Sequence, residues 1–176
     1  NTADYLVSAP VHLAATSSYQ TRLGSDGTAR SYTILTTLGA EGSTTGVDLQ
    51  GMNGDLARNY ALGADIDASP TAGWAGGFRP IAPSTNRIVG LAQVIDWLTI
   101  ARPADHYVGL FGNSSDGALV NVGLTRASVA GGLVVGILAG GTDTMTVRNV
   151  YISGTVTGVN AVGGVVGDTL VDLKLD

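Results

Sequence analysis

The chain has 176 residues, 26 of them glycine, and a formal net charge of −5. Only 13% of the residues are charged while 44% are hydrophobic, which excludes a disordered chain because disorder needs low hydrophobicity and high charge. Lysine occurs only at Lys174 and cysteine is absent, so we expect no basic surface for nucleic acid, no disulfide and no thiolate metal site.

The first hundred residues contain short apolar segments separated by turns. Strands are predicted at residues 7–13, 32–38 and 60–62 and around Ile66, where apolar and β-branched residues dominate. Residues 68–77 contain Pro70 and three glycines, and we expect them to form a loop that protrudes from the fold. We expect no long helix, because Gly51 and Gly54 interrupt residues 49–58, and β-branched and aromatic residues dominate the second half of residues 90–100.

The longest uncharged run, residues 127–141, contains five glycines. Its fifteen residues are fewer than the roughly 20 that a membrane-spanning helix needs. Each glycine also costs a helix about 1 kcal/mol relative to alanine. The run therefore does not predict a membrane span.

A Val-Gly pair recurs in the second half of the chain at a constant spacing. It begins at Val108, Val135 and Val162, and each copy leads into another apolar stretch. A second element, SVA at residues 128–130 and TVT at 155–157, repeats at the same spacing of 27. Such a unit cannot bury its apolar face alone but can do so when stacked on a copy of itself.

A third pattern is an apolar-x-apolar triplet, at residues 98–100, 122–124, 150–152 and 173–175. The residues that precede the last three are Asn121, Asn149 and Asp172. We predict that these three side chains form a structural ladder along successive repeats, in which side-chain amides bond to one another.

These patterns together predict an all-β fold, a right-handed parallel β-helix (β-solenoid) with coils of about 23–28 residues. No change of composition marks a boundary, so residues 1–176 are predicted to be one domain. Within it, residues 1–100 form less regular coils and residues 101–176 form regular repeat coils.

Residues that can carry chemistry are few and scattered. We predict no catalytic residue, no metal site and no cofactor, since no catalytic or phosphate-binding motif is present. Asp65 and Asp67 share a strand face and can either hold Ca²⁺ or cap a turn, and we favour the cap because Ca²⁺ needs six to eight oxygens. Three aromatic residues are candidate ligand contacts that can stack on sugar rings, or else hold loops to the shaft: Trp74, Trp97 and Tyr107.

Several stretches resemble the repeat region of filamentous-haemagglutinin-like adhesins, large bacterial exoproteins of two-partner secretion. They are residues 32–39 (YTILTTLG), 48–53 (DLQGMN), 59–69 (NYALGADIDAS), 73–74 and 78–81 (FRPI). Residues 107–112 (YVGLFG) and, more loosely, 162–167 (VGGVVG) are similar to the GLUG-type repeat. The resemblance implies a β-helical shaft, export through an outer-membrane secretion partner, and a secreted or bacterial cell-surface location.

The sequence therefore favours a non-enzymatic surface adhesin or extracellular matrix fibre module. Its expected partners are surface glycans or proteins, matrix polysaccharide, and further copies of itself joined through the terminal coils into filaments. The alternative is a β-helical protein that binds or degrades polysaccharide, as a lyase or hydrolase, with its acids clustered on one sheet.

Overall fold

The computed structural model describes residues 7–22, 27–82, 87–115 and 117–175, with side chains described as far as residue 169. The chain winds into a β-solenoid of about five turns with mostly parallel bridges. Two short 3₁₀ helices, Gln50–Gly54 and Ser69–Gly73, interrupt the strands. The strands are β1 Tyr19–Arg22, β2 Ala29–Leu35, β3 Asn59–Leu62, β4 Ile66–Asp67, β5 Arg87–Asp96, β6 Thr99–Arg102, β7 Tyr107–Val108, β8 Phe111–Ser114, β9 Gly117–Gly131, β10 Val134–Gly136, β11 Ala139–Thr157, β12 Ala161–Gly163 and β13 Val166–Leu175.

The Val-Gly repeat occupies one position on three successive coils. Val135 pairs in parallel register with Val108 on one side and Val162 on the other. In the other repeated element, residues 128–130 and 155–157, Val156 of β11 pairs with Val129 of β9. The predicted β-solenoid is thus confirmed, and its coils are 27–31 residues apart in these registers.

Two of the apolar triplets lie in other registers than the sequence predicted. The partner of residues 122–124 on the preceding coil is Gln93–Ile95, whereas Thr99 pairs with Ser128. Leu173 and Leu175 pair with Met145 and Val147. Each coil contains several short strands, and an apolar-x-apolar triplet occurs in more than one of them. Sequence spacing alone therefore does not identify which strand of one coil stacks on which strand of the next.

Side-chain amides add to the parallel pairing of β2 and β3 between the first two coils. Gln50, which is buried, accepts the Arg79 N–H at 2.8 Å and donates to the Arg79 carbonyl at 3.1 Å. Asn53 accepts the Ala82 N–H at 2.8 Å in the same manner. These contacts satisfy backbone groups in the segments of the two coils that lie outside the strands, because a buried N–H needs a partner.

Residues 68–77 do not leave the solenoid, so the predicted protruding loop is wrong. The buried hydroxyl of Thr71 accepts the Thr99 N–H of the next coil at 2.9 Å. The Gly76 carbonyl accepts the Ala101 N–H at 3.0 Å. Pro70 begins a 3₁₀ turn that lies against β6 of the next coil, a local geometry that composition alone does not distinguish from an exposed loop.

The interior is one apolar core that runs through the coils, and a smaller cluster lies outside it. The outer cluster comprises the buried residues Tyr32, Ile34, Ala61, Val89 and Leu91. The segment that contains Val7 and Leu13 packs over this cluster and crosses three coils. The Val11 N–H donates to the Leu91 carbonyl at 3.0 Å, and the Leu13 N–H donates to the Gly63 carbonyl at 2.9 Å. We call residues 7–18 the N-terminal strap.

Candidate functional site

Asn121 and Asn149 lie directly above one another at a turn of the solenoid. Asn149 Nδ2 donates to Asn121 Oδ1 at 2.7 Å, and Asn121 is 1% exposed. Both residues have positive φ, 57° and 49°, which asparagine tolerates better than most residues because its short side chain bonds locally. Asn121 Oδ1 also accepts the Val7 N–H of the strap at 3.4 Å.

The assignment of Asp172 to this ladder is wrong at the level of backbone register. Asp172 pairs with Thr144, five residues before Asn149 along β11. Its side chain lies outside the described residues. Ala92, which also has positive φ, holds the equivalent position on the coil below Asn121. Alanine has no side-chain amide, so the amide contact joins the coils of Asn121 and Asn149.

The two asparagines face a cleft beneath the strap. The cleft has a volume of about 460 Å³, and Val7, Pro10 and Tyr151 also line it. Tyr151 is 53% exposed, and its ring lies over Gly123, where an added Cβ would come within 2.2 Å of the ring. Glycine at that position leaves the space that the ring occupies.

The three predicted aromatic contacts lie in different surroundings. Trp74 is half-buried and packs against the core, so it holds its turn to the shaft. Trp97 is 52% exposed at a positive-φ turn, with the Arg126 guanidinium 4.7 Å from its ring centre. Arg126 is in turn ion-paired with Asp96 on the coil below. This cation–π contact occupies one face of the Trp97 ring.

Tyr107 lies in a second cleft, which we call the arginine–tyrosine cleft. Its volume is about 480 Å³, and Arg79, Arg102, Asp105 and Asn113 are among its lining residues. The ring is 43% exposed. Sequence reasoning missed both arginines, because they belong to different coils and only the winding of the chain brings them to one cleft.

Asp65 and Asp67 each accept a backbone hydrogen bond. Asp65 Oδ1 accepts the Val94 N–H of the next coil at 2.8 Å, and Asp67 Oδ1 accepts the Ser69 N–H at 2.9 Å. The Ser69 backbone bond, with the Ser69 hydroxyl as the weaker cause, holds the pKa of Asp67 below its ordinary value. Within the described ranges, no three His, Asp or Glu side chains are grouped as a metal site requires.

The fifth coil, which contains residues 150–157 of β11 and stacks on residues 122–130 of the fourth, leaves part of the apolar interior half-covered. Val122, Leu124 and Val129 of the fourth coil are at most 2% exposed. Their register partners on the fifth coil, Val150, Ile152 and Val156, are only partly buried. The described part of β13 pairs with residues 139–147 of β11, so among the described strands none pairs with the outer edge of residues 150–157. We call this edge, residues 150–157, the open edge.

Among the described residues, no helix combines the length and the apolar character that crossing a membrane requires. Residues 127–141 instead lie in β9, β10 and the start of β11. The uncharged run is therefore part of the solenoid.

The fold and the clefts define a β-solenoid with solvent-exposed clefts on its surface. No family model matches the chain, and no solved structure matches it. The chain is similar to halomucin of Haloquadratum walsbyi (strain DSM 16790 / HBSQ001), with 46% identity over 137 residues that cover 69% of this chain. The chain spans about 2% of the length of that curated relative. Together with the fold, the likeness suggests a surface or extracellular protein.

Proposed function

We propose that this chain is a non-enzymatic shaft module of a surface or extracellular adhesive protein or matrix fibre. The observation that carries the proposal is the open edge, because the fifth coil covers Val122, Leu124 and Val129 of the fourth, whereas no described strand covers residues 150–157 of the fifth. A further solenoid coil stacked on the open edge covers the half-buried valines and isoleucine and continues the hydrogen-bond ladder. The resemblance to filamentous-haemagglutinin-like adhesins adds two-partner export and attachment to surfaces to the proposal.

The two outermost coils among the described residues differ, and the difference limits how copies of the isolated chain can join. At the first coil, β1 runs antiparallel along the outer edge of β2, with Tyr19 opposite Tyr32. A parallel coil from a second copy needs that same edge, so head-to-tail growth into filaments requires that β1 be displaced. Two open edges, by contrast, can pair with each other across a twofold axis. We therefore expect pairs of solenoids to outnumber long filaments when the isolated chain associates.

Sedimentation velocity of the purified chain over a hundredfold range of concentration tests the proposal. Ile152→Lys places a charge on the half-buried inner side of the open edge and should abolish association, because the charge would be buried at the junction. Thr155→Lys adds the same charge at an exposed position of the same edge and should weaken association less.

Electron microscopy of the same samples distinguishes pairs from filaments. Concentration-dependent association that Ile152→Lys removes supports the proposal. A wild-type chain that remains monomeric throughout the range, or association that is equal in both lysine variants, contradicts it.

A further inference from the structure

The arginine–tyrosine cleft carries a positive charge on a chain that is acidic overall. Arg79 and Arg102 line it against a single carboxylate, Asp105, whereas the whole chain has a formal net charge of −5. Arg79 is exposed. A cationic cleft on an anionic surface attracts anionic groups selectively, because the rest of the surface repels them.

Arg102 is held in position by the coil beneath it. Its Nε donates to the Phe78 carbonyl at 3.3 Å, and its Nη1 lies 3.6 Å from Asp105 Oδ2. The side chain lies over Gly76, where an added Cβ would be 3.5 Å from the guanidinium carbon. A guanidinium fixed in this way loses little side-chain entropy when it binds a carboxylate.

Tyr107 supplies an aromatic surface in the cleft that the two arginines also line. An added Cβ at Gly141 would be 3.0 Å from two carbons of the ring, so glycine lets the ring rest against β11. Nearly half of Tyr107 stays exposed to solvent. A supported aromatic ring of this kind offers a flat apolar surface with a polar tip, which suits the apolar face of a sugar.

Asn113 contributes an acceptor that has no partner among the described residues. Its Oδ1 atom is buried and makes no hydrogen bond there, although Asn113 lines the cleft. A buried acceptor without a partner costs free energy, which a donor from a bound molecule recovers. Sugar hydroxyl groups are such donors.

We propose that the arginine–tyrosine cleft binds an acidic polysaccharide, with a uronate carboxylate on Arg79 and Arg102, a sugar ring on Tyr107 and a hydroxyl group on Asn113. Polyphosphate shares the anionic charge but has no sugar face and no ring hydroxyl group. The inference deepens the adhesive part of the proposed function and rests on it, while being independent of how the coils stack.

Isothermal titration with oligogalacturonate, and with the same oligomer fully methyl-esterified, tests this inference. We expect the acidic oligomer to bind and the neutral ester to bind at least about tenfold more weakly, since charged hydrogen bonds are the stronger ones. Arg79→Gln should weaken binding of the acidic oligomer by about tenfold. The control Arg30→Gln removes an equal charge from an exposed position on β2 and should leave binding within about twofold, since it changes only the long-range field.

A second pair of variants separates ring stacking from charge. Tyr107→Phe should retain binding and Tyr107→Leu should weaken it, and circular dichroism verifies that both variants fold. Equal binding by the Arg79→Gln and Arg30→Gln variants overturns the inference, as does equal binding of the ester or of polyphosphate. Sedimentation of the same samples records association separately, so failure of the cleft and failure of the open edge give different results.

Discussion

The amide contact between Asn121 and Asn149 can be tested by a double-mutant cycle. Asn121→Ala removes a 2.7 Å hydrogen bond, worth about 1 kcal/mol, and places alanine at a φ of 57°, which costs about another 1 kcal/mol. We therefore expect a loss of about 2 kcal/mol in the free energy of unfolding. Asn121→Gly loses the bond without the backbone strain, so it should be the more stable variant of the two.

The free energy of unfolding is measured by urea denaturation monitored by circular dichroism. The cycle with Asn149→Ala should give a coupling energy of about 1 kcal/mol, because either single variant already removes the bond. A coupling energy near zero would refute the amide contact. Equal stability of the alanine and glycine variants at position 121 would refute the left-handed turn.

Two further predictions concern close packing and alkaline pH. Gly163→Ala should lower the free energy of unfolding by about 1–3 kcal/mol, because its Cβ would meet the Val166 carbonyl oxygen. Gly164→Ala has open space around it and should leave the melting temperature in thermal denaturation nearly unchanged. Burial, and less strongly the charge of Asp55, raises the pKa of Tyr60, with Arg58 opposing. The folded state then favours the neutral phenol, so the contribution of Tyr60 to stability should be constant below pH 10 and be lost as the pH rises through the folded pKa. Melting temperatures measured up to pH 11 should show this decline for the wild type and not for Tyr60→Phe. An equal decline in both proteins would contradict the assignment.

The regular coils could be predicted from the sequence because their side chains repeat at a nearly constant spacing. Val108, Val135 and Val162 lie in register since stacked coils demand the same residue type at the same place in each turn. The first two coils are less regular in sequence because Gln50, Asn53 and Thr71 satisfy backbone groups there. Such contacts depend on which residue of the next coil lies alongside, and no spacing rule contains that information.

The candidate binding residues could be predicted only in part. Tyr107 is predicted to be a ligand contact or a residue that holds a loop to the shaft, and it lines a cleft. Trp74 carries the same two expectations, and its packing against the core agrees with the one in which it holds its loop to the shaft. Composition makes the same prediction for both residues, because it does not determine the path of the chain on which their burial depends. The sequence offered no signal that Arg79 and Arg102, from different coils, would lie together.

The amino-acid sequence by itself determined that this protein is a β-solenoid, because short apolar strands punctuated by glycine become stable only when equivalent segments stack. Tertiary structure alone decided the register of the triplets, the position of the strap and the pairing of Arg79 with Tyr107 in one cleft. The physical reason is that the sequence repeat determines which apolar side chains each coil buries. How far each turn advances at its corners depends on residues such as Ala92 and Trp97 in the left-handed conformation, and that conformation is stable there only because neighbouring coils support it.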